Sequence, residues 1–271
     1  MATFEPIRFG KYQLIEKIAT GGMAEVYKAK SYGVAGFEKL LVIKKILPHL
    51  SRDPEFVKMF INEAKIAVSL NHANIVQVYD LGMVDADYYM AMELIHGQDL
   101  MRVLRSARKA KRAVPMPIAV YIIAEVARGL AYAHDLQDPG GRPLNVVHQD
   151  VSPHNVLLSY EGDVKLVDFG IARVGDVRSG EGGSVAGGKM GYMAPEQAAR
   201  QPVDSRSDVF SAGILLFELV TGRRAYKERD PDKRLQMVLE ADLPSPRSIN
   251  ELIPERLELI LQQALAAHAA A

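Results

Sequence analysis

Between His148 and Gly170 the chain sets Asp150, Asn155 and Asp168 among short apolar runs, and few folds place such groups there without a chemical reason. With the two preceding valines the stretch reads VVHQDVSPHNVLL, then SYEGDVK, then LVDFG. Val146-Val147, Val156 to Leu158 and Val164 to Val167 read as short buried strands separated by loops. Carboxylates and an amide at the mouths of such strands are costly as packing, because a charge taken out of water needs a compensating partner. They are accounted for if a hard cation and a phosphate sit there, since Mg²⁺ takes few oxygen ligands from protein and the rest from substrate phosphates and water.

These residues resemble the protein kinase family. His148-Gln149-Asp150, with Asn155 five positions after the Asp, is similar to its catalytic loop, and Asp168-Phe169-Gly170 to its metal-binding triplet. Ala194-Pro195-Glu196 follows in the family's order. The resemblance implies an α+β, bilobal kinase-like fold, with an antiparallel β-sheet lobe over residues 1–94 and a mainly helical lobe over 95–271.

Composition agrees with this and narrows the alternatives. The 271 residues, 48% hydrophobic and 24% charged, suffice for one large core or two modest ones. Zero net charge offers no whole-chain case for nucleic acid or an anionic membrane as partner. With no Cys there is no disulfide and no zinc–thiolate site, which suits a reducing cytosol. No apolar run approaches ~18 residues and MATFEPIRFGK lacks a signal-peptide core. The expectation is a cytoplasmic catalytic domain that makes no membrane contact itself, whose parent could be anchored through a region beyond residue 271.

Strands are expected first and helices later. Tyr12 to Ile18, Val26 to Lys30 and Leu40 to Ile46 have strand character, with turns at Gly21-Gly22 and at Gly33 to Gly36. Asp53-Pro54 starts a helix that aligns Phe56, Phe60, Glu63, Ala67 and Leu70 on one face. Glu63 is therefore a carboxylate on the packed side, in need of a cation. The resemblance supplies one: Lys44, in Leu41-Val42-Ile43-Lys44, is implied to pair with Glu63 and to contact the α and β phosphates of ATP. Lys45 points to the opposite face of the same strand.

Val76 to Met83 and Tyr88 to Glu93 complete the sheet, and a hinge-like segment follows. There the resemblance implies Met92 as gatekeeper, Glu93 and Ile95 facing the adenine, and Asp99 near the ribose, although Asp99 equally suits a helix cap. Ile18, Gly21, Gly22, Val26, Val42 and Leu157 are the further nucleotide-contacting residues it implies. Helices are expected at Leu100 to Lys111, Pro117 to Asp135, Ser207 to Thr221, Pro231 to Ala241 and Pro254 to about Ala267. A turn-rich insert covers Gln137 to Asn145. Asp208 resembles the family's buried Asp that hydrogen-bonds the catalytic-loop backbone, with Phe210 where Trp is usual.

Several positions depart from the family pattern. Ala19 and Ala24 occupy two of the three glycine positions of the phosphate-covering loop, which should stiffen it. GGMAEVYKAK most resembles the bacterial branch of eukaryotic-like serine/threonine kinases. Gln149 replaces an Arg that grips an activation-loop phosphate in many kinases, so Ser179 and Ser184, candidate sites of self-phosphorylation, are not expected to act as a switch through that contact. Ser152 stands where serine/threonine kinases carry a phosphoryl-contacting Lys, while Lys189 stands where they carry Thr. The pair reads as an exchange that brings the Lys189 ammonium to Asp150 from the opposite loop.

The implied roles are Asp150, Lys44, Glu63 and Lys189 in catalysis, and Asn155 and Asp168 on Mg²⁺, or Mn²⁺, with ATP as cofactor and a Ser/Thr protein as substrate. A catalytically weak pseudokinase scaffold is the alternative, motivated by Ala19, Ala24, Gln149 and Ser152. His148 is expected to pack under Phe169, and His148 with His154 lacks the further ligands a zinc site needs. The basic run Arg102, Arg105, Arg108, Lys109, Lys111 and Arg112 reads as a solvated helix face rather than a dock for an acidic partner. Gly175 to Gly188, rich in Gly and Ser, predicts a mobile segment. The chain ends in alanines where the family continues into a last helix, so the fold is expected to be truncated before that helix, or else atypical there, and in both cases Glu196 is expected to lack its Arg partner.

Overall fold

The computed structural model describes residues 4–169 and 189–267. Ser179, Ser184 and the stretch from Gly175 to Gly188 lie outside the described residues. The chain divides into two compact units, Met1–His96 and Gly97–Ala271.

In the first unit, β1 (Ile7–Phe9), β2 (Tyr12–Thr20), β3 (Ala24–Tyr32), β4 (Glu38–Ile46), β5 (Val78–Val84) and β6 (Asp87–Met92) form one antiparallel sheet in the order β1-β2-β3-β4-β6-β5. Side-chain alternation splits β4 between two faces. Leu41 and Ile43 join Phe9, Tyr12, Tyr27, Tyr89 and Ala91 in one cluster, where the Phe9 and Tyr12 rings pack edge-on to Tyr89 at 5.3 and 5.5 Å. Ile46 joins Met90 and Val78 on the other, beneath Phe60 and Ala64 of helix α1 (Pro54–Ser69). Asp53 caps α1 by accepting from the backbone N–H groups of Glu55 and Phe56 at 3.0 and 3.4 Å, which satisfies donors the helix start would otherwise leave unpaired.

The second unit is mainly helical. A small sheet of β7 (Gly97–Asp99), β8 (Val156–Ser159) and β9 (Val164–Leu166) accompanies α2 (Leu100–Lys109), α3 (Met116–His134), α4 (Pro195–Ala198), α5 (Ser205–Thr221), α6 (Pro231–Leu239), α7 (Pro246–Ile249) and α8 (Glu255–Ala264). A Cβ on Gly97 would stand 1.9 Å from the Leu158 carbonyl oxygen, so the β7–β8 pairing requires glycine there. Helix α5 is buried almost all round, from Phe210 through Val220, as a central helix should be. It ends on Gly222 in the left-handed region, φ 66°.

Several sequence expectations need correction. Val146-Val147 is not a strand: residues 144–150 run without regular structure, and of the three expected strands only Val156–Ser159 and Val164–Leu166 pair. The short strand β1 and the one-turn helices α4 and α7 escaped detection, because three or four residues show no period. Among the described residues α3 is long and apolar enough to cross a bilayer, contrary to the reading of the apolar runs. It nonetheless buries Ala119, Ile122, Ile123, Val126, Leu130 and Ala133 and packs on α5 and β9, the behaviour of a core helix.

Candidate active site

In the first unit Lys44 and Glu63 meet as an ion pair. Lys44 shares the face of β4 that carries Ile46, and its ammonium donates to Glu63 Oε1 at 3.4 Å. Glu63, 9% exposed, is one of three buried residues of α1 with Phe60 and Ala64. The neighbour Lys45 goes to the other side, donating to Asp87 at 3.0 Å. Val26 lies in register opposite Lys44, and Val42 opposite Met92. The Glu93 N–H donates to the Gln77 carbonyl at 2.9 Å while its carboxylate accepts from the Gln77 N–H at 3.2 Å, which holds the strand end before Ile95.

The β2–β3 turn modifies the expectation for the glycine-rich loop. The Gly21 N–H donates to the Ala24 carbonyl at 2.8 Å, and β2 and β3 pair from Thr20↔Glu25, with register shifts between Lys17 and Ala19 and between Leu14 and Glu16. Ala24 begins β3 with its methyl buried, 6% exposed, whereas Ala19 and Ile18 are exposed. Neither Gly21 nor Gly22 has a positive φ, and a Cβ on either would meet nothing closer than 3.6 Å. The turn itself therefore makes no demand for glycine at either position.

In the second unit the catalytic-loop residues converge. Lys189 Nζ donates to Asp150 Oδ2 at 2.6 Å, with the Asp150 side chain 14% exposed. Asn155 Nδ2 donates to the same Oδ2 at 3.0 Å and to the Asp150 carbonyl at 2.8 Å. The ion pair expected from the residue exchange is present, yet only half of the exchange is realised. The Ser152 hydroxyl is buried and has no hydrogen-bond partner among the described residues.

Asp208 holds the loop from below. At 1% exposure its carboxylate accepts from the backbone N–H of His148 and of Gln149, each at 2.8 Å, and lies 2.8 Å from His134 Nε2. Gln149 adopts φ 63° and Asp168 φ 57°, left-handed values uncommon for such residues and often found at functional sites. His148 is fully buried against Phe169 at 4.5 Å between ring centres. Its Nδ1 accepts from the Asp150 N–H at 3.2 Å, which assigns the proton to Nε2, 3.1 Å from the Val167 carbonyl. With both nitrogens occupied, His148 is a spacer and not a base or a metal ligand.

Asp99 caps α2, accepting from the Arg102 N–H at 2.9 Å and pairing with its guanidinium at 3.2 Å, while lying in register opposite Leu157. Glu196 accepts from the Ser207 hydroxyl, so it has a partner, contrary to expectation. Sequence reading missed Gln197. Its amide accepts from the Ala194 N–H and donates to the Gln149 carbonyl, both at 3.0 Å, tying the Ala194-Pro195-Glu196 turn to the catalytic loop. Its place at the third position of a helix start is the only signal that marked it. Also missed was the buried set of Tyr192, whose hydroxyl donates to Glu218 at 2.8 Å and accepts from Arg224 at 2.6 Å.

The residues that could hold a divalent cation are Asn155, whose amide nitrogen is committed twice to Asp150 and so leaves its oxygen to offer, and Asp168. Among the described residues no three His, Asp or Glu cluster into a cage. Two hard oxygens fit Mg²⁺, which is completed by phosphates and water.

The protein kinase domain profile matches residues 12–266. The tyrosine-protein kinase MasK of Myxococcus xanthus is 44% identical over 95% of this chain and 40% of its own length. The serine/threonine-protein kinase PrkC of Bacillus subtilis is 33% identical over 95% of this chain and 37% of its own. The chain thus spans about two fifths of these relatives. Among solved structures, the Mycobacterium tuberculosis PknI kinase domain superposes with a TM-score of 0.70 at 26% identity, covering 99% of this chain and 92% of that one. A family profile over nearly the whole chain, joined to an antiparallel-sheet unit with a Lys44–Glu63 pair and a helical unit built round Asp150, makes this chain a member of the protein kinase family, a catalytic domain of the bacterial eukaryotic-like branch.

Proposed function

We propose that this chain transfers the γ-phosphoryl group of ATP, taken with Mg²⁺ or Mn²⁺, to a Ser or Thr hydroxyl of a protein substrate. The observation that carries the reading is the fixed carboxylate of Asp150, gripped on one oxygen by Lys189 and Asn155 while Asp208 pins the preceding backbone. Asp150 orients the acceptor hydroxyl and takes its proton late. The Lys189 ammonium brings positive charge to the acceptor, where the family's catalytic-loop Lys is replaced by Ser152. Lys44, held by Glu63, orients the phosphates, and Asn155 and Asp168 hold the metal, which screens phosphate charge when bound. Met92, Glu93, Ile95, Asp99 and Leu157 contact the nucleoside, with Ile18, Gly21, Gly22, Val26 and Val42 as its cover.

Two observations favour a second reading, transfer to Tyr. The Myxococcus relative is named a tyrosine-protein kinase, and the Lys typical of serine/threonine kinases is absent at Ser152. Incubation of the chain with γ-labelled ATP, Mg²⁺ and a mixed protein acceptor, followed by acid hydrolysis, separates the two. Label is expected in phosphoserine and phosphothreonine, and is expected to vanish in Asp150→Ala. Label confined to phosphotyrosine would establish the second reading, and an unlabelled acceptor would contradict both.

A further inference from the structure

The peptide unit that leads into Asp150 is held at both of its polar atoms by side chains. Its N–H, that of Asp150, donates to His148 Nδ1 at 3.2 Å, and its oxygen, the Gln149 carbonyl, accepts from Gln197 Nε2 at 3.0 Å. Gln149 stands at φ 63°, a left-handed value that persists where the surroundings impose it. A peptide unit is planar and turns as one body, so whatever fixes this plane fixes the backbone from which the Asp150 carboxylate projects.

The frame around that peptide stands on one side of the first turns of α5. Ser207, Asp208 and Ser211 are all buried, and each holds a different segment. The Ser207 hydroxyl donates to Glu196, the Asp208 carboxylate accepts from the N–H groups of His148 and Gln149, and the Ser211 hydroxyl donates to the Tyr192 carbonyl at 2.7 Å. The Tyr192 N–H in turn donates to the Lys189 carbonyl at 3.1 Å. Helix α5 thus anchors the catalytic loop and the Lys189 turn by separate contacts, and Gln197 joins the two directly.

The Gln197 amide has one orientation that serves both of its neighbours. Its oxygen accepts from the Ala194 N–H at 3.0 Å while its nitrogen faces the Gln149 carbonyl. A flipped amide would set oxygen against oxygen at one end and N–H against N–H at the other. The side chain therefore has two separable legs, an acceptor leg that caps α4 and a donor leg on the catalytic loop.

We propose that Gln197 is a positioning residue for phosphoryl transfer: its donor leg holds the Gln149–Asp150 peptide, and through it the carboxylate that Lys189 and Asn155 grip on one oxygen. The inference deepens the kinase reading and rests on it. Alignment of the catalytic loop with the Lys189 turn then runs through a neutral amide and needs no charged group at Gln149 or Gln197.

Three substitutions separate the legs. Gln197→Glu keeps an acceptor for the Ala194 N–H but sets an oxygen against the Gln149 carbonyl. Gln197→Lys keeps a donor for that carbonyl and cannot accept from Ala194, and Gln197→Met keeps neither leg. Transfer to a protein acceptor and the KM for ATP are measured for each, with thermal melts to report folding. Gln197→Glu and Gln197→Met are expected to lose about 10–10²-fold in kcat with ATP KM within about twofold of the parent, and Gln197→Lys to regain about tenfold over Gln197→Met. Parental kcat in folded Gln197→Glu, or Gln197→Lys no faster than Gln197→Met, overturns the inference and reduces Gln197 to a helix cap, with the kinase reading left standing. If Gln197→Glu does not melt cooperatively, the comparison of Gln197→Lys with Gln197→Met carries the same decision. A parent chain that labels no protein acceptor overturns the kinase reading and the inference with it.

Discussion

Lys189 and Asp150 stand 39 positions apart in sequence and 2.6 Å apart in space. Their meeting was legible only because Ser152 and Lys189 depart from the family pattern in complementary ways. What sequence could not reveal is that Ser152 remains buried with its hydroxyl unpaired, since a hydrogen bond depends on ångström-scale placement that residue identity does not carry. An orphaned buried hydroxyl is a cost without return. Ser152→Ala, which removes it with little change in volume, is expected to leave stability unchanged or raise it by up to about 1 kcal/mol in urea titration. A loss of more than about 1 kcal/mol would mean that the hydroxyl has a partner after all.

Helices and strands were legible wherever a period could establish itself. Helix α1 was announced by Asp53-Pro54 and its apolar spacing, and Glu63 on its packed face called for the cation that Lys44 supplies. Val146-Val147 misled because two apolar residues fit a strand or a buried loop equally well, and the backbone that follows them gives its His148 and Gln149 N–H groups to Asp208 and not to a neighbouring strand. That carboxylate accepts two backbone N–H groups and lies beside His134, all in a buried setting. Asp208→Ala is expected to cost about 3–5 kcal/mol in chemical denaturation, and a cost below about 1 kcal/mol would show that the loop holds itself.

In the sheet, the Lys17 hydrogen bond, aided by the Tyr27 hydroxyl and opposed by desolvation, holds the Glu25 carboxyl below its ordinary range. A carboxyl with a lowered folded pKa adds stability above its unfolded value of 4.5 and loses it as pH falls through the folded value. Acidification below about pH 5 should therefore destabilise the parent more than Glu25→Gln, by up to about 1 kcal/mol given the partly exposed Lys17. Parallel slopes of urea midpoint against pH would contradict this.

At the scale of the whole molecule, each compact unit carries its own part of the family's chemistry: Lys44 with Glu63 in one, Asp150 with Asn155 and Lys189 in the other. The family was legible from motif order, because phosphoryl transfer needs particular residue types at particular spacings, whereas a packing position accepts any apolar side chain of suitable size. The central claim is that the ammonium has moved from the catalytic loop to Lys189, and exchanging it back tests this most directly. Turnover of a protein acceptor is measured for the parent, for Lys189→Thr, and for Lys189→Thr combined with Ser152→Lys. The single variant is expected to lose about 10²–10³-fold in kcat with ATP KM little changed, and the double variant to recover most of that loss. Undiminished turnover in Lys189→Thr would contradict the account.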